Sequence, residues 1–339
     1  MLKKIFNAVK EFVVEEYKFL ICMFVFYIVC TFPVNYYIVI GGGISDVGER
    51  IVVENGSDSK GSFNLSYVSE LKGTVLTYAL SYVFPTWDRE SMSDYKYSES
   101  ESYDDIEFRG EMDLKSTNGN AIKAAYELAG KDYKEVSSKI YVIGLFDEYK
   151  TGLKIRDEIL SINGQSFDTV SEYSSYIQEF EENDELEVEV LRDGAKKIVK
   201  SKIYLYQDRK IFGVALQIAK EYETNPSIDI KFKSSEMGPS AGLVTTLEIY
   251  DKLVEDDITN GLTIAGTGSI DELGNVGEIG GVRYKILGAV DGDADVFLVP
   301  FGDNYEEALK VKKEKKLDIK VIAVSSLEDA INKLSELKK

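Results

Sequence analysis

Residues 236–242 read Glu-Met-Gly-Pro-Ser-Ala-Gly, and this stretch decides how the rest of the chain is interpreted. A β-like run precedes it at 228–232, and apolar residues at helical spacing follow it from Leu243, so Ser240 lies where a tight turn becomes a helix. The first N–H groups of a helix have no intrahelical partner and can stabilise a negative charge in front of them. Serine is also a common helix N-cap. The stretch alone therefore leaves two interpretations of Ser240 open, a structural cap and a nucleophile.

Composition limits the chemistry in which Ser240 can take part. The chain of 339 residues has no histidine, which excludes a Ser-His-Asp triad and histidine-based zinc sites. Cys22 and Cys30 are its two cysteines, and both lie in an apolar N-terminal run, so we expect no metal site and no cofactor. If Ser240 is a nucleophile, a lysine is the leading candidate for its base.

Charge and the absence of one motif argue against two further classes of partner. The net charge of -19 at pH 7 argues against nucleic acid, because phosphate groups are bound mainly by basic side chains. The sequence contains no G-x-x-x-x-G-K-[ST] loop, so we expect no bound nucleotide and no dependence on ATP.

The N-terminal region predicts a membrane anchor. Lysines are frequent in residues 1–18, whereas residues 19–40 carry no charge. A helix over 19–40 would reach about 33 Å, enough for a hydrocarbon core of about 30 Å. The lysine bias places the N-terminus in the cytoplasm and the catalytic region outside the cell. We therefore expect a cytoplasmic lead at 1–18 and a single-pass transmembrane signal anchor at 19–40, with a cleaved signal peptide as the alternative.

The remainder of the chain is predicted to contain three regions. Residues 41–135 are expected to form an extracellular connecting region of mixed strands and helices. Within it, the polar residues 91–108 predict a loop and residues 118–128 predict a helix. Residues 136–207 are β-rich, and residues 208–339 alternate strands with helices as an α/β domain does.

The β-rich region resembles a PDZ domain of the kind found in bacterial proteases. A strand at 139–145 and a hairpin signal at Asp193-Gly194 frame the run G-L-K-I-R-D-E-I-L-S-I-N-G at 152–164, which carries the resemblance. Arg156 stands where the family usually has glycine. PDZ domains bind peptide ends by adding a strand to a sheet edge, or serve as a spacer or gate. The resemblance implies that a peptide carboxylate would bind near Tyr141, Val142, Ile143 and Gly144.

A second glycine-rich segment, at 267–285, ends in a lysine that begins another helix. Lys285 lies among apolar residues in the predicted first turn. Burial disfavours the charged form of an amine, so we expect the pKa of such a lysine to fall and the neutral amine to accept a hydroxyl proton. A lysine that faces solvent is the alternative interpretation of this segment.

Together the two segments resemble the proteolytic domain of Lon-type serine proteases. The resemblance rests on G-P-S-A-G, on Thr267-Gly268, and on G-G-x-x-x-K ending at Lys285. It implies a Ser-Lys dyad in which Ser240 is the nucleophile, Lys285 is the general base and Thr267 orients the lysine. Backbone support for the oxyanion is expected from the neighbours of Ser240, which are Gly238, Pro239, Ala241 and Gly242.

The combined sequence is similar to the membrane-anchored, PDZ-containing Lon-like proteases of Gram-positive bacteria. The expected fold class is α/β (α+β), with a transmembrane helix, a PDZ-like module at 136–207 and a Lon-type proteolytic domain at 208–339. The predicted function is an ATP-independent serine endopeptidase of the cell membrane that cleaves peptides or exported proteins. The alternative is a membrane-tethered PDZ adaptor, built on an inactive protease fold, that binds peptides.

Overall fold

The computed structural model of the chain describes residues 2–233, 236 and 238–337. Its helices are α1 (Leu2–Glu15), α2 (Tyr17–Thr31), α3 (Val75–Leu80), α4 (Tyr103–Leu128), α5 (Val170–Ile177), α6 (Gly242–Leu253), α7 (Val282–Asp291), α8 (Asp303–Lys315) and α9 (Leu327–Ser335), and short 3₁₀ turns lie at Gly48–Arg50, Met92–Tyr95 and Pro239–Ala241. Its strands are β1 (Pro33–Asp46), β2 (Ile51–Val53), β3 (Ser62–Thr74), β4 (Asp88–Ser91), β5 (Asp132–Leu145), β6 (Glu158–Ile162), β7 (Glu185–Arg192), β8 (Ala195–Lys202), β9 (Tyr204–Tyr206), β10 (Arg209–Ile211), β11 (Val214–Asn225), β12 (Ile228–Ile230), β13 (Thr263–Gly266), β14 (Ser269–Ile270), β15 (Val276–Gly277), β16 (Val296–Pro300) and β17 (Lys320–Val324).

The chain divides into two compact units, and the smaller one contains residues 1–41 and 68–95. In it, helix α2 ends one residue before Phe32, which has extended backbone angles (φ -66°, ψ 118°). Pro33 explains this end, because proline disfavours the helical conformation of the residue before it. The β-branched and aromatic residues that follow favour a strand, and β1 pairs there with β4 in antiparallel register.

The predicted membrane span at 19–40 is therefore divided between a helix and a strand. Helix α2 has 15 residues and a length of about 22 Å, short of a hydrocarbon core of about 30 Å. Within the described ranges, no helix is both long and apolar enough to cross a membrane. The predicted transmembrane helix is wrong, and so is the predicted location as a single-pass membrane protein with an extracellular catalytic domain. The absence of charged residues over such a run does not show whether the run forms one long helix or a helix followed by a strand.

The larger unit, residues 42–67 and 96–339, contains a parallel sheet whose two faces are both covered. Its strands follow the order β17-β16-β13-β3 and pair in parallel. Side chains alternate between the faces, so Ile264 packs into a core with α4, α6 and α9, whereas Ala265 packs into a second core with α7 and α8. This mixed α/β arrangement agrees with the predicted class, and it places α6 and α7 on opposite faces of β13.

A second sheet of the larger unit is antiparallel, with the strand order β11-β5-β6-β7-β8. Its core includes Val142, Val188 and Phe212, and α5 packs against the same core. The predicted hairpin is confirmed, since Asp193 (φ 53°) and Gly194 (φ 73°) connect β7 and β8 in the left-handed turn that this loop requires.

Helix α4 begins earlier than the sequence predicts. Ser102 accepts a hydrogen bond from the N–H of Asp105, and the Asp105 carboxylate accepts one from the N–H of Ser102, which forms a capping box. The loop predicted at 91–108 is therefore wrong for its last residues. Its serines and acidic residues, which are typical of mobile segments, here cap a helix and stabilise its first turn.

Candidate active site

Ser240 lies in the 3₁₀ turn that leads into α6. Gly238 starts this turn with φ 96°, a conformation that favours glycine, and its N–H donates to the carbonyl oxygen of Gly110 on α4 at 3.3 Å. The residues that cap the 3₁₀ turn and α6 are Gly238 and Ala241, and neither helix start has a side-chain cap. The hydroxyl of Ser240 thus does not act as a helix N-cap, and its side chain is half-buried.

Lys285 lies in the first turn of α7, on the other face of the sheet. Gly281 precedes this helix in the left-handed conformation (φ 72°), and its carbonyl accepts the N–H of Lys285 at 3.1 Å. The backbone carbonyl of Lys285 also accepts a hydrogen bond from the hydroxyl of Ser66. Only 4% of Lys285 is exposed, so the alternative of a lysine that faces solvent is wrong.

Thr267 connects the two segments. It follows the last residue of β13, is fully buried, and is fixed by its N–H, which donates to the carbonyl of Leu298 at 3.1 Å. The Nζ of Lys285 donates to the Thr267 hydroxyl at 3.2 Å, and that hydroxyl donates to the backbone carbonyl of Ser240 at 3.3 Å. The structure therefore brings together the three side-chain positions that the sequence singled out, at the carboxyl end of a parallel strand, where such sheets commonly form sites.

This series of hydrogen bonds determines which group donates and which accepts at each step. The proton of the Thr267 hydroxyl is directed at the Ser240 carbonyl, so a lone pair of the same oxygen receives an N–H of Lys285. The N–H of Gly268 donates to the same Ser240 carbonyl at 3.0 Å. A neutral amine can accept the proton of a hydroxyl that lies within hydrogen-bond reach.

The residues predicted to support the oxyanion have two different roles. The N–H groups of Gly238 and Gly242 are already used, since they donate to Gly110 and Pro239 respectively, and proline has no N–H. These residues shape the turn: a Cβ on Gly242 would lie 2.7 Å from the backbone nitrogen of Ile270. The N–H groups of Ser240 and Ala241 remain as candidate donors to an oxyanion. The neighbouring Met237 lies outside the described residues.

The residues predicted to bind a peptide carboxylate are not at a sheet edge. Strand β5 pairs with β11 on one side and with β6 on the other, and Val142 and Ile143 are buried. A peptide could pair with β5 there only by displacing β11 or β6, and the predicted binding of a peptide carboxylate near these residues stays a prediction. The structure places Tyr141, Val142, Ile143 and Gly144 in this interior strand.

One edge of that sheet is β11 and the other is β8. The sequence indicated β11 only as a strand of the following domain. Val214, Leu216 and Ile218 are half-buried and pack against the same core as α5. Phe212, just before β11, lies edge-on against Tyr173 of α5, with ring centroids 5.9 Å apart. The alternation of these apolar residues was the signal in the sequence that this strand has one face on the PDZ-like core.

The fold combines a small antiparallel module with a mixed α/β domain that brings Ser240, Thr267 and Lys285 together. Residues 216–336 match the family model of the Lon protease (S16) C-terminal proteolytic domain, and residues 131–203 match the PDZ domain model. The chain therefore contains a Lon proteolytic domain, which belongs to a serine peptidase family, and a PDZ domain. The predicted domain limits at 136–207 and 208–339 stay predictions.

Curated relatives agree with this assignment. The chain is similar to the Lon protease of Neorickettsia sennetsu, with 31% identity over 98 residues, which is 29% of this chain and 12% of that protein. It is also similar to the Lon protease of Desulfatibacillum aliphaticivorans, with 33% identity over 96 residues, or 28% of this chain and 11% of that protein. The match thus spans about an eighth of these relatives.

A solved structure that resembles part of the chain is the PDZ domain of the SdrC-like protein from Listeria monocytogenes. The sequences are 19% identical, the match covers 24% of this chain and 92% of that domain, and the TM-score is 0.23.

Proposed function

We propose that this protein is a serine endopeptidase in which Ser240 is the nucleophile, Lys285 is the general base and Thr267 orients the lysine. The observation that carries the proposal is the bridge from the buried amine of Lys285 through the Thr267 hydroxyl to the backbone of Ser240. The absence of histidine in the sequence leaves lysine as the base that fits the site.

The reaction follows from these positions. The Oγ of Ser240 attacks the carbonyl carbon of the scissile peptide bond while the neutral amine of Lys285 takes the hydroxyl proton. The resulting oxyanion is stabilised by the N–H groups of Ser240 and Ala241, a type of contact whose loss typically costs about 10²–10³ in rate. The C–N bond then breaks, and the Lys285 ammonium gives its proton to the leaving amine. Water, deprotonated by Lys285, hydrolyses the ester and restores the Ser240 hydroxyl.

The PDZ domain is proposed to hold an extended segment of the substrate. Strand β11 is an edge strand of its sheet, and its residues 214–218 pack against the same core as α5. PDZ domains bind peptides by adding a strand to such an edge, so the backbone of the substrate would pair with β11 and its alternate side chains would contact the half-buried apolar residues. The substrates proposed are therefore peptides and unfolded segments of proteins.

Peptide hydrolysis by this chain is proposed to need no ATP, since the sequence has no phosphate-binding loop. We expect equal rates of peptide hydrolysis with and without ATP and Mg²⁺. A rate that rose on addition of ATP would contradict this part of the proposal.

The test of the proposed dyad uses Ser240→Ala and Lys285→Met variants with a fluorogenic peptide library. Both variants are expected to fold and to lose at least about 10³ in kcat, because the nucleophile and base act as a unit. Lys333→Met, at a half-exposed lysine on α9, serves as the control and is expected to retain activity. If either site variant cleaved peptides at the wild-type rate, the assigned dyad would be wrong. A wild-type protein that bound peptides but never cleaved them would instead support the adaptor.

A further inference from the structure

An ion pair lies beside the segment that leads to Ser240. Arg50, the last residue of the first 3₁₀ turn, meets the carboxylate of Glu236 with both Nε and Nη2, and Nε is 3.1 Å from each carboxylate oxygen. The side chains are 14% and 18% exposed. This is the two-pronged contact in which an arginine fixes the orientation of a carboxylate as well as its position.

Arg50 is itself held rigidly. Its Nη1 donates to the backbone carbonyl of Asp46, and its Nη2 donates to the hydroxyl of Ser45 at 2.9 Å. Its own backbone carbonyl accepts the N–H of Lys231 at 2.9 Å. One residue therefore contacts the segment before Ser240 at two points, through its backbone at residue 231 and through its side chain at residue 236.

The carboxylate of Glu236 has a second local partner. It accepts the N–H of Lys233 at 2.8 Å, which closes a turn within the segment. Burial raises the pKa of this carboxyl, but the hydrogen bonds from Arg50 and Lys233 outweigh it and hold the pKa of Glu236 below its usual value. The hydrogen bond to Glu236 in turn raises the pKa of Arg50. Both groups are therefore charged at neutral pH.

The described residues of this segment, 231–233, 236 and 238, depend on contacts with other parts of the chain for their position. Strand β12 ends at Ile230 and the next turn starts at Pro239, and the described residues between them belong to no helix or strand. The N–H of Gly238, bonded to α4, fixes the end next to Ser240. A misplacement of about 1 Å at a reacting group can cost about 10² in rate, so an anchor four residues before the nucleophile matters for catalysis.

We propose that Arg50 and Glu236 are positioning residues that fix the segment leading to Ser240 and thereby the direction of its hydroxyl. This inference rests on the proposed function of Ser240 as a nucleophile. Neither side chain contacts the reacting atoms; they act through the backbone. The pair should therefore change kcat more than KM.

The experiment is a double-mutant cycle with Arg50→Gln, Glu236→Gln and the combined variant, measured with a fluorogenic peptide. Each single variant is expected to lower kcat by roughly 10–100-fold, with KM within about twofold, and the double variant is expected to be no slower than the slower single variant. The matched control, Arg192→Gln/Asp157→Asn, removes another two-pronged arginine pair, in the PDZ domain, whose side chains are 15% and 0% exposed. The control is expected to keep wild-type kcat.

A second measurement keeps the inference separate from the proposed function. Amide hydrogen exchange at the described residues 231–233, 236, 238 and 240 is expected to become at least tenfold faster in Glu236→Gln, with the rest of the proteolytic domain unchanged. Unchanged exchange there, an unchanged kcat in Glu236→Gln, or an equal loss in the control would overturn the positioning role. If the wild-type protein showed no Ser240-dependent hydrolysis while exchange rose as expected, the proposed function would fail and the anchoring of the segment would stand.

Discussion

Replacing Thr267 by valine tests the bridge between the base and the nucleophile. Valine keeps the shape of threonine in a fully buried position but removes the hydroxyl that accepts from Lys285 and donates to Ser240. In the transition state the Lys285 amine gains a proton, and a hydrogen bond of a charged group contributes about 1.5–3 kcal/mol. The distances of 3.2 and 3.3 Å favour the lower part of that range. A loss of about 1.5–2 kcal/mol in the transition state corresponds to a fall in kcat of roughly 10–30-fold.

The cost in folding stability should be smaller than the cost in catalysis. The Ser240 carbonyl keeps its hydrogen bond from the N–H of Gly268, so it is not left without a partner in Thr267→Val. We expect the free energy of unfolding to fall by about 1 kcal/mol, measured by urea denaturation. Thr267→Ser keeps the hydroxyl and serves as the control, with kcat close to wild type. A valine variant with kcat within twofold of wild type, or a serine variant that lost as much as valine, would refute this reasoning.

One pH profile and two substitutions give further tests. The kcat of the wild-type enzyme should rise towards alkaline pH, because only the neutral amine of Lys285 accepts a proton; a pH profile that fell over this range would contradict a lysine base. Burial raises the pKa of Asp113 to about 6, so the folded state binds more protons than the unfolded one and stability falls as pH rises from about 4 to 6. Asp113→Asn should therefore stabilise the protein by about 1–2 kcal/mol at pH 8, after allowance for its partial exposure, and by almost nothing at pH 3.5, as measured by urea denaturation at both values. Gly242→Ala should lower the free energy of unfolding by about 1–3 kcal/mol, because the added Cβ would lie 2.7 Å from the backbone of Ile270. Gly280→Ala is the control and should be tolerated, because its Cβ would meet nothing within 4 Å. Equal thermal stability of the two variants would count against the tight packing at Gly242.

The positions of the candidate site residues could be predicted because they lie in short local patterns, and their catalytic roles stay predictions. The glycines and the proline around Ser240 favour a tight turn. Because the sequence has no histidine, the base that fits such a serine is a lysine such as Lys285. The direction of each hydrogen bond through Thr267 could not be predicted, because it depends on how three segments from both faces of the sheet meet.

Residues that act through long-range packing were not predictable. Arg50 and Glu236 are 186 positions apart, and nothing in either local sequence indicates that they form a pair. The prediction of a transmembrane helix at 19–40 was wrong for a related reason. Apolar residues occur in both helices and buried strands, and a single proline at position 33 decides where one ends and the other begins.

Strand β11 has a consequence for dividing this protein into separately expressed parts. The strand pairs along β5 and supplies Val214, Leu216 and Ile218 to the PDZ core, yet the proteolytic match begins within it. A cut at position 207 would therefore leave one fragment with an unpaired β5 edge and an incompletely covered core, and the other with an orphan strand, both prone to aggregate. A usable PDZ fragment must extend through Asn225, and the proteolytic part then loses β11, with which its family match begins. The two modules match separate family models but share one strand in space, so they should unfold as a single unit.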